Sequence, residues 1–367
     1  MHATDALIEA ERLMTVCNSC RYCEGLCAVF PAMEARRAFP DGDLNYLANL
    51  CHACGACYDD CQFAPPHEFE VNVPKVLAQV RAESYAAYAW PPAAAPLLRR
   101  NGLAVALIAA LSVALFIVGF IAASDPAALW SSGAEPGAFY RVMPHGAMAA
   151  LFGAAFLYAI LALCLGVRRF WSEIGGSKAP ALDTRALWQA VRDAGRLRYL
   201  DGGGMGCVTD DARPKDGRRH AHHMVFYGFL LCFASTSVAT LYHYLLGREA
   251  PYDWHGLPVV LGTLGGLGLV GGTIGLYRAK QTRDPALVDP RQLGMERAFL
   301  AMLFLTGLSG LALLLLRDTA AMGILLALHL GIVFGLFITM PYGKFVHGIY
   351  RFAALVRYAS ERAATRS

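Results

Sequence analysis

Two stretches decide how this chain is read: Cys17-Asn-Ser-Cys20-Arg-Tyr-Cys23-Glu-Gly-Leu-Cys27 and Cys51-His-Ala-Cys54-Gly-Ala-Cys57-Tyr-Asp-Asp-Cys61. They hold eight of the eleven cysteines, and each repeats the spacing C-x2-C-x2-C-x3-C. Three closely spaced thiolates can cap three irons of a cubane when the backbone wraps tightly around it, while the fourth cysteine points away to complete the neighbouring cluster. The spacing therefore predicts two 4Fe–4S clusters. One takes Cys17, Cys20, Cys23 and Cys61, the other Cys51, Cys54, Cys57 and Cys27. Structural zinc also uses paired cysteines, but a zinc knuckle offers two ligands and a site four, not four in eleven residues twice over. A disulfide framework does not suit the reducing cytoplasm in which the basic flanks place this segment.

The runs match the bacterial ferredoxin pattern except after the fourth cysteine, where ferredoxins carry proline and this chain has Ala28 and Gln62. Pro31 and Pro65 follow four residues after those cysteines, so the chain can still turn away nearby. The expected fold is mainly α: an N-terminal α-helical ferredoxin-like domain over residues 1–90, a linker at 91–101, and a membrane domain over 102–357 with a cytoplasmic tail at 358–367. Nothing in residues 1–96 is long enough to span a bilayer, and Met1–Thr15 carries acidic residues and no apolar core, so no cleavable signal peptide is expected. The linker is marked by Trp90-Pro-Pro-Ala-Ala-Ala-Pro96 and leads to Arg99-Arg100.

Hydrophobic residues make up 56% of the chain and charged residues only 16%, the balance of a protein that sits largely in lipid. Six apolar stretches are close to the roughly 20 residues a membrane helix needs: Gly102–Ala123, Val142–Val167, Ala221–Leu246, Gly256–Tyr277, Ala298–Leu316 and Ala320–Met340. Six spans put both termini on one side, and the positive-inside rule says which. Arg99, Arg100, the segment 168–220 with Arg168, Arg169, Lys178, Arg185, Arg192, Arg196, Arg198, Arg213, Lys215, Arg218 and Arg219, the loop 278–297, and Arg351, Arg357 and Arg362 share one face, whereas loops 124–141 and 247–255 hold only Arg141 and Arg248. The expected location is a bacterial inner membrane, with both termini and the cluster domain cytoplasmic. The net charge of +4 is mostly this topology signal, and no nucleic-acid partner is expected.

Histidines in lipid are costly, so their placement is informative. His222 and His243 lie 21 residues apart in the third span, about 31 Å of helix. His329 and His347 are 18 residues apart, five helical turns, so a continuous sixth helix would present both from one stripe. With the two helices antiparallel, His222 faces His347 near the cytoplasm and His243 faces His329 near the outer surface, a pattern for one or two bis-histidine b-type haems. His223 is the alternative inner ligand, and His145 competes for the outer pair; terminal histidines also simply snorkel to headgroups. His2, His52, His67, His220 and His255 read as surface or loop residues.

The stretch 183–199, with Leu187, Trp188, Val191 and Leu197, reads as an interfacial helix beside Trp171 and Lys178, with scaffold packing beneath the clusters as the simpler role. Gly202-Gly-Gly-Met-Gly-Cys207 lacks the glycine spacing of a dinucleotide site and reads as a tight loop near a cofactor. Gly262, Gly265, Gly266, Gly268, Gly271, Gly272 and Gly275 crowd the fourth span, for close helix packing or, more sharply, a homodimer interface. Pro341 kinks the sixth span or opens carbonyls that help form a quinone pocket.

The stretch Leu328 to His347 resembles the last haem helix of the respiratory nitrate reductase gamma subunit. Taken together, the cysteine runs, the Gly202–Cys207 loop, the His222–His243 helix and the C-terminal histidine helix resemble the tricarballylate/citrate-utilisation protein B family over nearly the full length. The resemblance implies a membrane iron–sulfur protein that reoxidises the reduced flavin of a partner dehydrogenase, the FAD-containing A protein, and passes electrons to the quinone pool. The residues themselves point the same way, because clusters joined to transmembrane haems make a one-electron path between a soluble donor and a lipid-soluble acceptor. Arg21-Tyr-Cys23-Glu24 and His52-Ala-Cys54-Gly-Ala are the candidate docking faces for the donor.

Two other classes compete. A tricarboxylate transporter component fits six spans, but inverted repeats and midplane cations for a trianion are missing. A membrane redox sensor needs an output module, and only twenty residues follow His347. No flavin or nicotinamide motif is present, so this chain reads as an electron-transfer subunit, with substrate oxidation expected on the partner.

Overall fold

A computed structural model describes residues 2–99, 101–123, 129–130, 132–133, 135–175, 183–200 and 217–364. The Gly202–Cys207 loop, Lys178, Arg100, Arg213 and Lys215 lie outside the described residues. The described chain is helical and contains no strand.

Five helices build the cysteine-rich domain: α1 (Asp5–Cys20), α2 (Val29–Glu34), α3 (Asp41–Leu50), α4 (Ala56–Asp59) and α5 (Val73–Tyr88). The side chain of Thr4 caps α1 by accepting the N–H of Leu7, and Ala6, Leu7, Ala10, Leu13 and Met14 bury one stripe at the i, i+3, i+4 interval. Arg21 ends α1 in the left-handed region at φ 55°, its N–H returned to the carbonyl of Cys17. Asn72 caps α5 by accepting from Lys75, and proline in the first turn suits φ near −65° there.

After a short 3-10 turn, α6 (Ala95–Arg99) leads into α7 (Asn101–Ala123). Then come α8 (Ala138–Val142), α9 (His145–Gly175), α10 (Thr184–Gly195), α11 (Gly217–Leu246), α12 (Leu257–Gln281), α13 (Leu293–Leu316), α14 (Met322–Thr339) and α15 (Val346–Ala364). Six of these helices are long and apolar enough to cross a membrane, in the order and within a few residues of the places expected. Their unpaired apolar faces, such as Leu107, Leu111 and Leu115 on α7, lie outward where lipid would cover them. The end away from the cysteine domain is fastened through backbone bonds: Gly133 N–H donates to Arg317 O (2.7 Å) and Gly137 N–H to Ala250 O (2.8 Å).

The glycines of α12 are used inside the chain. A Cβ at Gly265 would lie 2.7 Å from the backbone N of Cys232, one at Gly272 would lie 2.8 Å from Ala221 O, and one at Gly266 would meet Leu311 at 2.9 Å. These glycines seat α11 and α13 against α12, the close helix packing expected of them.

The sixth span differs from expectation. Helix α14 stops at Thr339, a 3-10 turn runs over Met340–Tyr342, and α15 starts anew at Val346. Pro341 donates no backbone N–H and its ring crowds the preceding turn, so the helix cannot continue through it. His329 and His347 therefore stand on separate helices, and the expectation of one continuous stripe is corrected. Residues 358–364, expected as part of a tail, continue α15, with Tyr358, Ala359 and Ser360 buried.

Helix α15 is the keel joining the cysteine domain to the bundle. Arg36 and Asp43 of the cysteine domain pair with Glu361 (2.7 Å) and Arg357 (3.0 Å). Tyr85 stacks on Tyr350 at 5.5 Å, and Glu173 at the end of α9 accepts from Asn45 (2.6 Å) and Tyr88 (2.7 Å). Helix α10 buries Ala186, Ala190 and Asp193 while Leu187, Trp188 and Val191 stay outward, as an interfacial helix seated on the protein would.

Candidate functional site

Cys17 lies near Cys20, Cys23 and Cys61, and Cys27 lies near Cys51 and Cys54. Cys17 and Cys20 share the last turn of α1, three residues apart and on one face. A hollow beside them is lined by Cys17, Cys20, Cys23 and Cys61, with Cys57 of the second run also at its edge and Val16, Phe30, Phe63 and Val73 as apolar walls. Burial, reinforced by neighbouring cysteines, pushes the thiols of Cys17 and Cys23 up to about 12. Iron must therefore displace protons on binding. Gln62 Nε2 lies 3.8 Å from Cys20 Sγ.

In the second set Cys27 feels Cys54 and Cys51, and Cys57 feels Cys54, Cys51 and Cys27; burial drives both thiols upward. The loop that carries them is shaped by Ala53 at φ 50° and Gly55 at φ 99°. Gly55 is required twice over, since a Cβ there would be strained and would meet Leu287 at 2.8 Å. Among the described residues, no group of three or more His, Cys, Asp or Glu closes on a single metal ion. All ten cysteines among the described residues are free of disulfides.

The two sets have different surroundings. Tyr22, between Cys20 and Cys23, is 71% exposed, whereas His52, between Cys51 and Cys54, is only 8% exposed. His52 lies in a loop between α3 and α4, as expected, but is buried there and not at the surface. Its Nδ1–H donates to Leu50 O (2.8 Å), its ring lies 6.3 Å from Tyr199, and the nearby charges of Arg351 and Arg218 add to burial in holding its pKa well below normal. Of the two candidate docking faces, only Arg21–Glu24 is at the surface.

His222 and His347 meet, with ring centroids 6.2 Å apart and planes at 71°. The Nδ1–H of His347 is bonded to Lys344 O, which leaves Nε2 as the lone-pair nitrogen. Burial holds the His347 ring neutral, with its pKa well below the usual value. Nδ1 of His222 is buried without a partner. His223, the alternative, instead lies beside Tyr227 at 5.9 Å.

The outer pairing is not the one expected. His243 stacks on His145 at 3.5 Å, too close for a metal between them. His329 is buried elsewhere, its Nδ1 2.9 Å from Ser309 Oγ on α13. Nothing in the residue pattern distinguishes these partners, because the break at Pro341 removes the helical phase on which the pairing was based.

A buried ionic group also escaped the sequence reading. Glu296 on α13 pairs with Lys344 (2.8 Å) and with Lys280 on α12. It lies beside the turn at Pro341, where Val105, Phe299, Met302, Leu336, Thr339, Met340, Gly343 and Phe345 line a small apolar hollow.

Two family models match the chain: Citrate utilization protein B over residues 96–367, and the Citrate utilization protein B Fer4-like domain over residues 10–87. The Citrate utilization protein B of Escherichia coli is 50% identical over 364 residues, covering 98% of this chain and 93% of that protein. No solved structure matches. With both halves of the chain matched in order and the cysteine sets gathered in the Fer4-like half, the chain belongs to the Citrate utilization protein B family.

Proposed function

We propose that this chain is a membrane electron-transfer protein that takes electrons from the reduced flavin of a partner dehydrogenase of tricarballylate or citrate type and delivers them to a membrane quinone. The observation that carries this reading is the arrangement of groups in the molecule: one cysteine run carrying the exposed Tyr22, a second carrying the buried His52, and the facing His222 and His347 at the bundle end. Iron–sulfur clusters and b-type haem each carry single electrons, which lets a two-electron donor and a two-electron acceptor be joined stepwise. Cys17, Cys20, Cys23 and Cys61 would hold one 4Fe–4S cluster, and Cys51, Cys54, Cys57 and Cys27 the other. The sulfurs surround hollows instead of meeting at a point, which suits a cubane more than one zinc ion.

His222 and His347 would hold one b-type haem. His243 and His329 stay out of this proposal, since the first is stacked against His145 and the second is bonded to Ser309. Tyr22 and Glu24 mark the face where the flavoprotein would dock, on the cytoplasmic side. The quinone headgroup would enter at the Pro341 turn, where an apolar hollow adjoins Lys344, itself three residues from His347. Lys344, pushed down to about 8 by burial, would supply protons there as the quinone is reduced.

The test is a reduced-minus-oxidised optical spectrum of the detergent-purified chain with iron, acid-labile sulfide and haem quantified. About eight sulfides and one b-type haem per chain support the reading. Absence of sulfide would overturn it, and sulfide without haem would remove the role given to His222 and His347.

A further inference from the structure

Four arginines converge on the loop of the buried cysteine set. Arg81 of α5 donates to Ala48 O (2.6 Å) and Cys51 O (3.1 Å), and Arg351 of α15 to Cys51 O (2.8 Å). Arg218 of α11 donates to His52 O (3.2 Å) and Ala53 O (3.1 Å), and Arg283, just after α12, to Ala53 O (3.0 Å). The partners of Arg81, Arg283 and Arg351 are neutral carbonyls, so their bonds cancel no charge. Among the described residues, the buried carboxylate of Glu296 is already shared by Lys280 and Lys344.

Cations collected away from water are costly unless an anion compensates them. Burial and mutual repulsion push the guanidiniums of Arg283 and Arg351 down to about 10, and Cys51 is among the groups that oppose this. The missing counter-charge has an obvious place: four thiolates around iron and sulfide carry net negative charge, which grows by one on reduction. The set on the side of Tyr22 is different. Beside Cys23 the charged neighbour is Asp60, and a side-chain donor beside a sulfur there is the neutral amide of Gln62, 3.8 Å from Cys20 Sγ.

We propose that Arg81, Arg283 and Arg351 form a cationic clamp that makes the cluster at Cys51, Cys54, Cys57 and Cys27 the more easily reduced of the two. Electrons then enter at Cys17, Cys20, Cys23 and Cys61 and collect beside His222 and His347. This rests on the electron-transfer reading above and deepens it by giving the path a direction. In the step concerned, one electron leaves the exposed cluster as the buried one takes it up. No bond breaks and no proton moves. The reductant is the reduced flavoprotein.

The experiment is a potentiometric titration of the full-length purified chain in detergent, following the two reduced-cluster signals by electron paramagnetic resonance. Cys20→Ser and Cys54→Ser assign each signal by the one they alter. In the native chain the signal altered by Cys54→Ser should have the higher midpoint. Arg283→Gln and Arg351→Gln should each make that cluster about tenfold harder to reduce, a fall of about 59 mV for one electron, and should shift the other signal by less than a third of that. Arg283→Lys should restore most of the loss, because it keeps the charge. A reversed order in the native chain, or equal shifts of both signals, overturns the clamp while leaving the electron-transfer reading intact. The native order needs no variant, so a misfolding substitution does not protect the proposal. A native chain without either signal overturns both.

Discussion

Replacing Glu361 with alanine should unfasten the cysteine domain from the bundle. The carboxylate of Glu361 binds Arg36 (2.7 Å), Arg357 (2.8 Å) and the hydroxyl of Tyr46 (3.0 Å). Arg36 and Arg357 cover the ring of Tyr46, at 4.7 and 4.4 Å from its centre, and Asp43 pairs with both. Taking away Glu361 leaves two guanidiniums on one ring with a single acid between them. The side chain of Arg36 is only 8% exposed and that of Glu361 23%. Breaking a buried ion pair on one side costs about 3–5 kcal/mol, and the partial exposure of Glu361 places this case near 3 kcal/mol. At roughly 2 °C per kcal/mol for a chain of this size, the melting transition of the detergent-solubilised protein should fall by about 6 °C. A double-mutant cycle is the sharper assay. Because Arg36→Met removes the stranded charge, Arg36→Met/Glu361→Ala should lose about 1–2 kcal/mol less than the two single changes together. A melting temperature within about 1 °C of the native chain, or strict additivity, would refute the assignment of this network as the fastening.

Other outcomes are as specific. His222→Ala and His347→Ala should each abolish the b-type haem bands in a difference spectrum, while His329→Ala keeps them; haem lost with His329 instead would move the site to the outer end. Cys61→Ser should remove the same resonance signal as Cys20→Ser, and Cys27→Ser the same signal as Cys54→Ser, each halving the acid-labile sulfide, which follows only if the fourth ligands are exchanged between runs. Gly265→Leu should drive α11 from α12, since even a Cβ would lie 2.7 Å from Cys232 N, costing about 1–3 kcal/mol; a melting temperature equal to the native one would count against that contact.

The parts of this structure legible in the sequence are those set by strong local constraints. A cubane demands thiolates at short fixed spacing, so the two cysteine runs marked out the half of the chain that matches the Fer4-like domain. Lipid demands runs of about 20 apolar residues, so six spans could be placed, with α13 starting five residues earlier than expected. What was hidden depends on tertiary placement. Pro341 could be read as a kink or a site, but only the packed chain shows that it ends α14 and starts α15 on a new axis. Arg218, Arg283 and Arg351 were fully accounted for as positive-inside charges, so their second use on the Cys51–Ala53 carbonyls gave no separate signal. The burial of His52 was hidden because helical and strand periodicity do not reach a loop, where nothing in the pattern says which side chains turn inward.

The break at Pro341 also explains how one helix can serve two modules. Helix α15 carries His347, then Arg351 one turn later, then Arg357 and Glu361 at its far end. At 1.5 Å per residue, Arg351 lies about 6 Å along the axis from His347 and Glu361 about 21 Å. The near fastening, Arg351 on Cys51 O, fixes the buried cysteine loop against the histidine pair; the far one, Glu361 with Arg36 and Tyr46, fixes the body of the cysteine domain. Had α14 continued straight through Pro341, this segment would have followed the axis of α14. It turns instead onto the cysteine domain, so the spacing between Cys51 and His347 is held by one rigid element. The two fastenings should then separate experimentally: Glu361→Ala lowers stability and leaves the midpoint of the buried cluster unchanged, whereas Arg351→Gln lowers that midpoint. A midpoint that moves in Glu361→Ala as far as in Arg351→Gln would mean that the cluster senses the docking of the whole domain and not the charge beside it.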